Sequence, residues 1–438
     1  MSPRWTNWSG TVRTQMVRQE HPRDVEAVAA AVRAAGRDGL RVKPVGAGHS
    51  FTGAAATDGV QLVLDGLTGI VHADLDSGLV TVRAGTRLHQ LGRALDALGL
   101  AMTNLGDIDA QTIAGAISTG THGTGGALGS LSSQVRAVEL VTADGAVLTA
   151  STESAPEVFE AARLGLGALG VLTSVTLACE PAFLLRAEEA PMPLDAVLDE
   201  LDGLVQGNDH VEFFWWPHTR STTVKRLNRL PADAAPAPRH PWRAWFDDRF
   251  MANTVFGAAT ALGRRCPAAV PLVNRAATTL AGSRSYADAS YRVLATPRLV
   301  RFAESEWALP REALPEVLGQ LEAVTRRLEH PVAFPVEVRF GPAENVWLSP
   351  AHGRATVYVA VHQALGMPRE RWFADVAALA LAAGGRPHWG KLHPLDAARL
   401  CALYPRFDDF VAVRDRLDPR GMFANAYLDR VLGPASGS

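Results

Sequence analysis

Pro44-Val-Gly-Ala-Gly-His-Ser-Phe51 decides how the chain is read. A short strand, Arg41 to Val45, runs into a tight Gly-rich turn, Gly46 to Ser50. Glycines let main-chain N–H groups crowd around an anion, because no Cβ blocks the approach. Some seventy residues on lies a second small-residue stretch, Thr112-Ile-Ala-Gly-Ala-Ile-Ser-Thr-Gly-Thr-His-Gly-Thr-Gly-Gly126. The two loops are candidate cradles for a pyrophosphate. Gly46-x-Gly48 is not the dinucleotide fingerprint, since the third glycine is missing and Phe51-Thr52 follow where a helix should start. His49 sits inside the first loop. Chemistry alone leaves it as a metal ligand, a general base, a hydrogen-bonding loop residue or a cofactor attachment point.

Around the loops, helix and strand signals alternate through the first 180 or so residues. Val25, Val28, Ala29 and Val32 mark a helix, and Leu88, Leu91, Leu95 and Leu98 another. Strands are expected at Gln61–Asp65, Leu79–Arg83, Val135–Val141, Val147–Thr149 and over 168–177. From about Phe183 to the 390s, strands Val211–Trp216, Val336–Phe340 and Thr356–Val361 alternate with helices Leu194–Val205, Leu314–Leu328 and Arg369–Ala383. That pattern reads as an α+β cap with an antiparallel sheet. Pro231, Pro236, Pro238 and Pro241 make Arg229–Arg243 a surface loop, and the tail Pro434–Ser438 is expected to be disordered. The stretch 225–290 says least.

The 438 residues, 47% hydrophobic and 20% charged, are enough for two or three domains with real cores. A net charge of −2 gives no reason to expect nucleic acid or an anionic membrane as partner. Cys179, Cys266 and Cys401 match no metal or redox spacing and suit a reduced, cytoplasmic thiol set. Neither a signal peptide nor a transmembrane segment is expected. His388 and His393 lack a third ligand pattern, so no metal is expected.

Pro44–Phe51, Thr112–Gly126 and Leu169-Gly-Val-Leu-Thr173 together resemble the FAD-binding domain of the vanillyl-alcohol-oxidase type, in its aldonolactone oxidoreductase branch. That branch holds gulonolactone and arabinonolactone oxidases and the related alditol oxidases. Phe334-Pro-Val-Glu-Val-Arg-Phe340, Gly385-Arg-Pro-His-Trp-Gly-Lys391 and Arg414 to Asn425 resemble it independently. The resemblance implies a two-subdomain FAD-binding domain over 1–180, an α+β substrate (cap) domain with an antiparallel sheet over 181–395, and a C-terminal segment, 396–438, returning to the first.

It also implies site residues. Val45, Gly46, Ala47, Gly48, His49 and Ser50 would hold the FAD pyrophosphate, with the flavin bonded covalently to His49. Thr112, Gly115 and Ser118 would lie near the flavin, and Gly120, Thr121, His122 and Gly123 would touch it. Gly170 and Val171 would sit near the adenine half. Ile113, Ala114 and Gly115 would cover the ring and so govern whether oxygen or another acceptor reoxidises it. The implied reaction is hydride transfer from a CHOH carbon of a sugar lactone or polyol to flavin N5. Glu337 and Arg339, at i and i+2, share one face of a strand. By the resemblance, Glu337 holds substrate hydroxyls and assists proton removal, while Arg339 binds a substrate oxygen or stabilises the anionic reduced flavin. Lys391 would polarise the reacting hydroxyl or act as its base, and would also touch the cofactor; His362 would be a further polyol contact. An aldono-1,4-lactone is the favoured substrate. An open-chain alditol, or a flavin-binding module without turnover, is the alternative.

Overall fold

The computed structural model describes residues 2–280, 282–296 and 300–437. The first Gly-rich turn leaves the edge of a small parallel sheet. Arg18–Glu20, Val60–Val63 and Val42–Val45 pair in that order, with Val60–Val63 central. The helix Val25–Arg37, capped by Asp24 accepting from the Ala27 N–H at 2.7 Å, buries Val28, Ala29 and Val32 in a core with Val42, Val60 and Leu62. Phe423, nearly four hundred residues later, fills the same core. The C-terminal segment is tied there by the Val42 N–H on the Met422 carbonyl at 2.8 Å, and by Asn425 Nδ2 donating to the carbonyls of Gly53, Ala54 and Ala56.

A second, antiparallel sheet orders Val147–Ser151, Val135–Val141, Val171–Ala178, Leu79–Arg83 and Ile70–Asp74. The third sheet has eight antiparallel strands: Arg284–Ala289, Leu184–Pro193, Ser221–Arg229, His210–Trp215, Val336–Gly341, Thr356–Ala364, Phe302–Pro310 and Arg386–Pro387. Its two faces follow from strand alternation. Phe213, Trp307, Val338 and Val359 point one way, into a core with Leu314, Leu318, Trp372 and Val376 of the helices Leu314–Thr325 and Glu370–Ala382. Their neighbours in sequence, which carry the charges, point the other way.

The expected elements are present with shifted ends, and several regions differ; the expected loop Arg229–Arg243 gives way to the helix Pro241–Trp245. Leu194–Val205 is two helices, Leu194–Asp199 and Leu201–Gln206, because Glu200 leaves helical geometry (φ −98°, ψ 9°). Four long strands of the third sheet, Leu184–Pro193, Ser221–Arg229, Arg284–Ala289 and Phe302–Pro310, were not anticipated. The tail is held rather than loose: Arg414 donates to the carbonyls of Gly433 and Pro434, at 2.6 and 3.1 Å, and the Gly437 N–H donates to Pro419 at 3.0 Å. No helix of the described residues is long and apolar enough to cross a membrane.

Candidate active site

Two clefts meet at His49. The first is lined by Lys43 to Ser50, by Thr112, Ala114, Gly115 and Ser118, and by Gly167 and Gly170. The second is lined by Phe51, His122, Glu304, Glu306, Glu337, Arg339, Tyr358, His362, His388 and Lys391. His49, Ser50, Gln111 and Thr119 border both.

Small residues make the first cleft. A Cβ on Gly46 would fall 2.1 Å from Thr112 Oγ1, so the turn and the second Gly-rich segment approach too closely for any side chain. Gly48 has φ +67°, a left-handed conformation that favours glycine, and it faces the Trp5 ring. Thr112 caps the helix Ile113–Ser118 by accepting from the Gly115 N–H at 3.2 Å. Lys43 is buried along the wall, donating to the carbonyls of Gly167 and Phe423 at 2.9 and 3.0 Å; burial pushes its ammonium down to about 7. His49 stacks on Trp8 at 5.3 Å, and its Nδ1 is buried with no hydrogen-bond partner among the described residues. Burial, helped by Arg87 and Lys391, lowers its pKa to about 4.

The second cleft is the charged face of the eight-stranded sheet, and register sets its layout. Lys225 pairs with Glu212, Glu212 with Arg339, and Arg339 with Tyr358, one row across four strands. Glu337 pairs with Ala360 and Ala360 with Glu306; Glu304 pairs with His362. Arg339 donates to Glu212 at 2.8 Å, contacts Glu337 closely and lies 3.7 Å from Asp107. Burial opposes its charge, but these carboxylates more than offset that and raise its pKa. Glu212 also holds Lys225 at 3.1 Å.

Lys391 reaches in from the loop after Arg386–Pro387, 2.6 Å from Glu304 and 3.8 Å from Glu306. Burial works against its ammonium, yet the two carboxylates raise its pKa, so Lys391 is a proton donor in this setting. In return, Glu304 is held down to about 2 against the effect of burial, by Lys391 and His362. Glu306 is held well below the usual carboxylate range by His122, His388 and Lys391. His362 gives its Nδ1 proton to the Pro335 carbonyl at 3.2 Å and turns Nε2 toward Glu304 at 3.6 Å. His122 likewise spends Nδ1 on the Gly123 carbonyl, at 2.8 Å, stacks on Tyr358 and sets Nε2 2.5 Å from Glu306.

His122, Glu306 and His388 bring ligand-type atoms within 4.8 Å of one another, a grouping that the His388/His393 spacing did not suggest. His388 Nδ1 already accepts from the Gly390 N–H at 3.0 Å. A neutral imidazole has one lone pair, so none is left on His388 for a cation, and within the trio the side-chain bond is the one between His122 and Glu306. Burial keeps His388 neutral, with a pKa of about 4.

Of the residues singled out in the sequence, Glu337, Arg339, His362, Lys391, Thr121 and His122 come together in the second cleft. Val45 to Ser50, Thr112, Gly115, Ser118 and Gly170 come together in the first. Gly120, Gly123 and Val171 line neither; Val171 is fully buried in the core beside Val141. Ile113 is also wholly in the core, whereas Ala114 and Gly115 reach the cleft wall. Glu304, Glu306 and Tyr358 were missed. The signal available for the two glutamates was their i, i+2 spacing in Phe302-Ala-Glu-Ser-Glu-Trp-Ala-Leu309.

Residues 20–151 match the family described as FAD binding domain, and residues 175–431 that described as D-arabinono-1,4-lactone oxidase. The chain is 42% identical to L-gulono-1,4-lactone dehydrogenase of Mycobacterium tuberculosis, over 99% of this chain and all of that one. It is 34% identical to L-gulonolactone oxidase of Bos taurus, over 98% of each. The cholesterol oxidase structure from Brevibacterium sterolicum shares the fold, with a TM-score of 0.81 at 19% identity over 99% of this chain and 97% of that one.

Proposed function

We propose, given that this chain belongs to the D-arabinono-1,4-lactone oxidase family and carries its FAD-binding domain, that it oxidises a CHOH carbon of an aldono-1,4-lactone. A gulono-, galactono- or arabinono-lactone is the expected substrate. The observation that carries this reading is the half-buried ammonium of Lys391, held beside Glu304 and Glu306 in the cleft that His49 borders.

The residues present fit FAD. The first cleft offers main chain at Gly46 and Gly48 for a pyrophosphate, and the orphaned, neutral imidazole of His49 stands where the two clefts join. Val45 to Ser50, Thr112, Gly115 and Ser118 would hold the cofactor, and His49 would anchor it covalently. When bound, FAD supplies a two-electron acceptor for the substrate's C–H hydride and passes the electrons to oxygen or another acceptor.

The chain's own groups do the rest. Lys391, kept protonated by its carboxylates, donates to the reacting hydroxyl and fixes its direction. Glu337 and Arg339 grip neighbouring oxygens, and Arg339 puts a fixed cation where negative charge develops. His362, with Nδ1–H spent on Pro335 and Nε2 turned toward Glu304, contacts a further substrate oxygen, and the Glu337 carboxylate accepts the hydroxyl proton.

Anaerobic mixing of the yellow protein with each lactone should bleach the flavin with at least one of them. Bleaching by xylitol or sorbitol alone would overturn the lactone assignment. Unfolding in acid or detergent should leave the colour on the polypeptide, and His49→Ala should release it.

A further inference from the structure

The helical rod from Pro241 to Arg265 is turned inside out. Pro241–Trp245 and Phe256–Arg265 are α-helical, and Phe246–Val255 between them takes the wider π turn. Among the described side chains, the rod buries Asn253 and Thr260 while Trp242, Trp245, Phe250, Met251, Val255 and Leu262 stand exposed. Trp242 is 63% exposed and Trp245 51%. These rings are joined: Trp242 stacks on Phe246 at 5.5 Å, Phe246 on Phe250 at 5.4 Å, and Phe250 on Trp245 at 6.2 Å. The following helix, Val270–Leu280, adds an exposed Leu272. A continuous exposed aromatic surface marks an interaction site, since water is a poor neighbour for it.

Charge selects the partner. Residues 239–275 hold six arginines and two aspartates, in a chain whose net charge is −2. Arg243, Arg265 and Arg275 are exposed, while Arg264 is turned to the body of the protein and donates to the Leu365 carbonyl at 3.4 Å. A second copy laid on this face about a two-fold axis would set arginines against arginines. An anionic bilayer satisfies both parts of the surface: indole rings settle at the headgroup level, and guanidinium groups pair with lipid phosphates. We propose that this face docks the protein peripherally on an anionic lipid surface. Docking would bring the bilayer close to the reaction cleft. Phe256, on the inner side of the rod, packs on Phe334 at 4.8 Å, and Phe334 lies 5.5 Å from Phe302 of the cleft wall.

The full, flavin-loaded chain should be sedimented with vesicles of phosphatidylcholine alone and of equimolar phosphatidylcholine and phosphatidylglycerol. We expect pelleting with the anionic vesicles, a blue shift of tryptophan emission, and release at high salt. Trp242→Ala/Trp245→Ala and, separately, Arg243→Glu/Arg265→Glu should each lower the partition by about tenfold while flavin absorbance and thermal midpoint stay unchanged. Failure to pellet with anionic vesicles overturns the proposal, as does pelleting of both variants equal to that of the unsubstituted chain. A dimer in solution that the tryptophan variant dissociates would also overturn it, and would assign the face to a second copy.

Discussion

The two clefts that meet at His49 are made of different materials. The first, proposed for the nucleotide, is main chain and small residues, Gly46, Ala47, Gly48, Gly115 and Gly170, and its buried Lys43 is tied to carbonyls rather than to acids. The second, proposed for the reaction, is a lattice of mutually compensating charges, Glu212, Glu304, Glu306, Glu337 and Arg339 on one sheet face with Lys391 reaching in. A cradle of backbone groups tolerates loss of a distant charge. A lattice does not, because each buried ion is stable only beside its partner. Cofactor retention and substrate chemistry should therefore separate under mutation.

Arg339→Ala gives the sharpest separation. It strips Glu212, Glu337 and Asp107 of a shared cation. Flavin reduction by lactone should slow by about a thousandfold, and chemical denaturation should show a loss of about 3–5 kcal/mol. Flavin absorbance per chain should hold. Wild-type stability and rate in this variant would break the contrast between the clefts. Lys391→Met should slow reduction by about a hundredfold with flavin content intact, read by anaerobic stopped-flow absorbance.

Acid should damage the reaction side first. Glu304 is held at about 2 against an ordinary 4.5, mainly by Lys391 and His362 working against burial. Its depressed pKa contributes stability above pH 4.5, on the order of 3 kcal/mol, which drains away as pH falls toward 2. Glu304→Gln should flatten the denaturation midpoint over that window, and an unchanged slope would remove Glu304 from the lattice. The smallest effect should come from the other side. Gly46→Ala, with its Cβ driven against Thr112, should weaken flavin retention by about tenfold in reconstitution titrations and leave the acid profile as it was.

This contrast also explains what the sequence shows. The glycine loops at 44–51 and 112–126 are contiguous stretches, so their composition reads directly, and Glu337-x-Arg339 needs only strand alternation. Glu304 and Glu306 are different. In Phe302–Pro310 their polar face looks like that of any surface strand, and only the pairing with Thr356–Ala364, His362 opposite Glu304, turns it inward. Glu212 and Lys225 are hidden for the same reason: their meaning lies in cross-strand register, which local pattern does not carry. The rod Pro241–Arg265 misleads in the opposite sense, since its apolar residues face outward and the rule that apolar residues mark the core fails there.

Val42 rests on Met422, Lys43 on Phe423, and Asn425 clasps the carbonyls of Gly53, Ala54 and Ala56. The strand that launches the glycine turn is thus braced by residues nearly four hundred positions later in the sequence. A ribosome-bound chain halted before residue 422 would possess every glycine of the cradle and none of this bracing. If the cradle holds flavin as proposed, loading should wait for this distant segment, and a chain cut before residue 422 should lose cofactor as surely as one with a damaged loop.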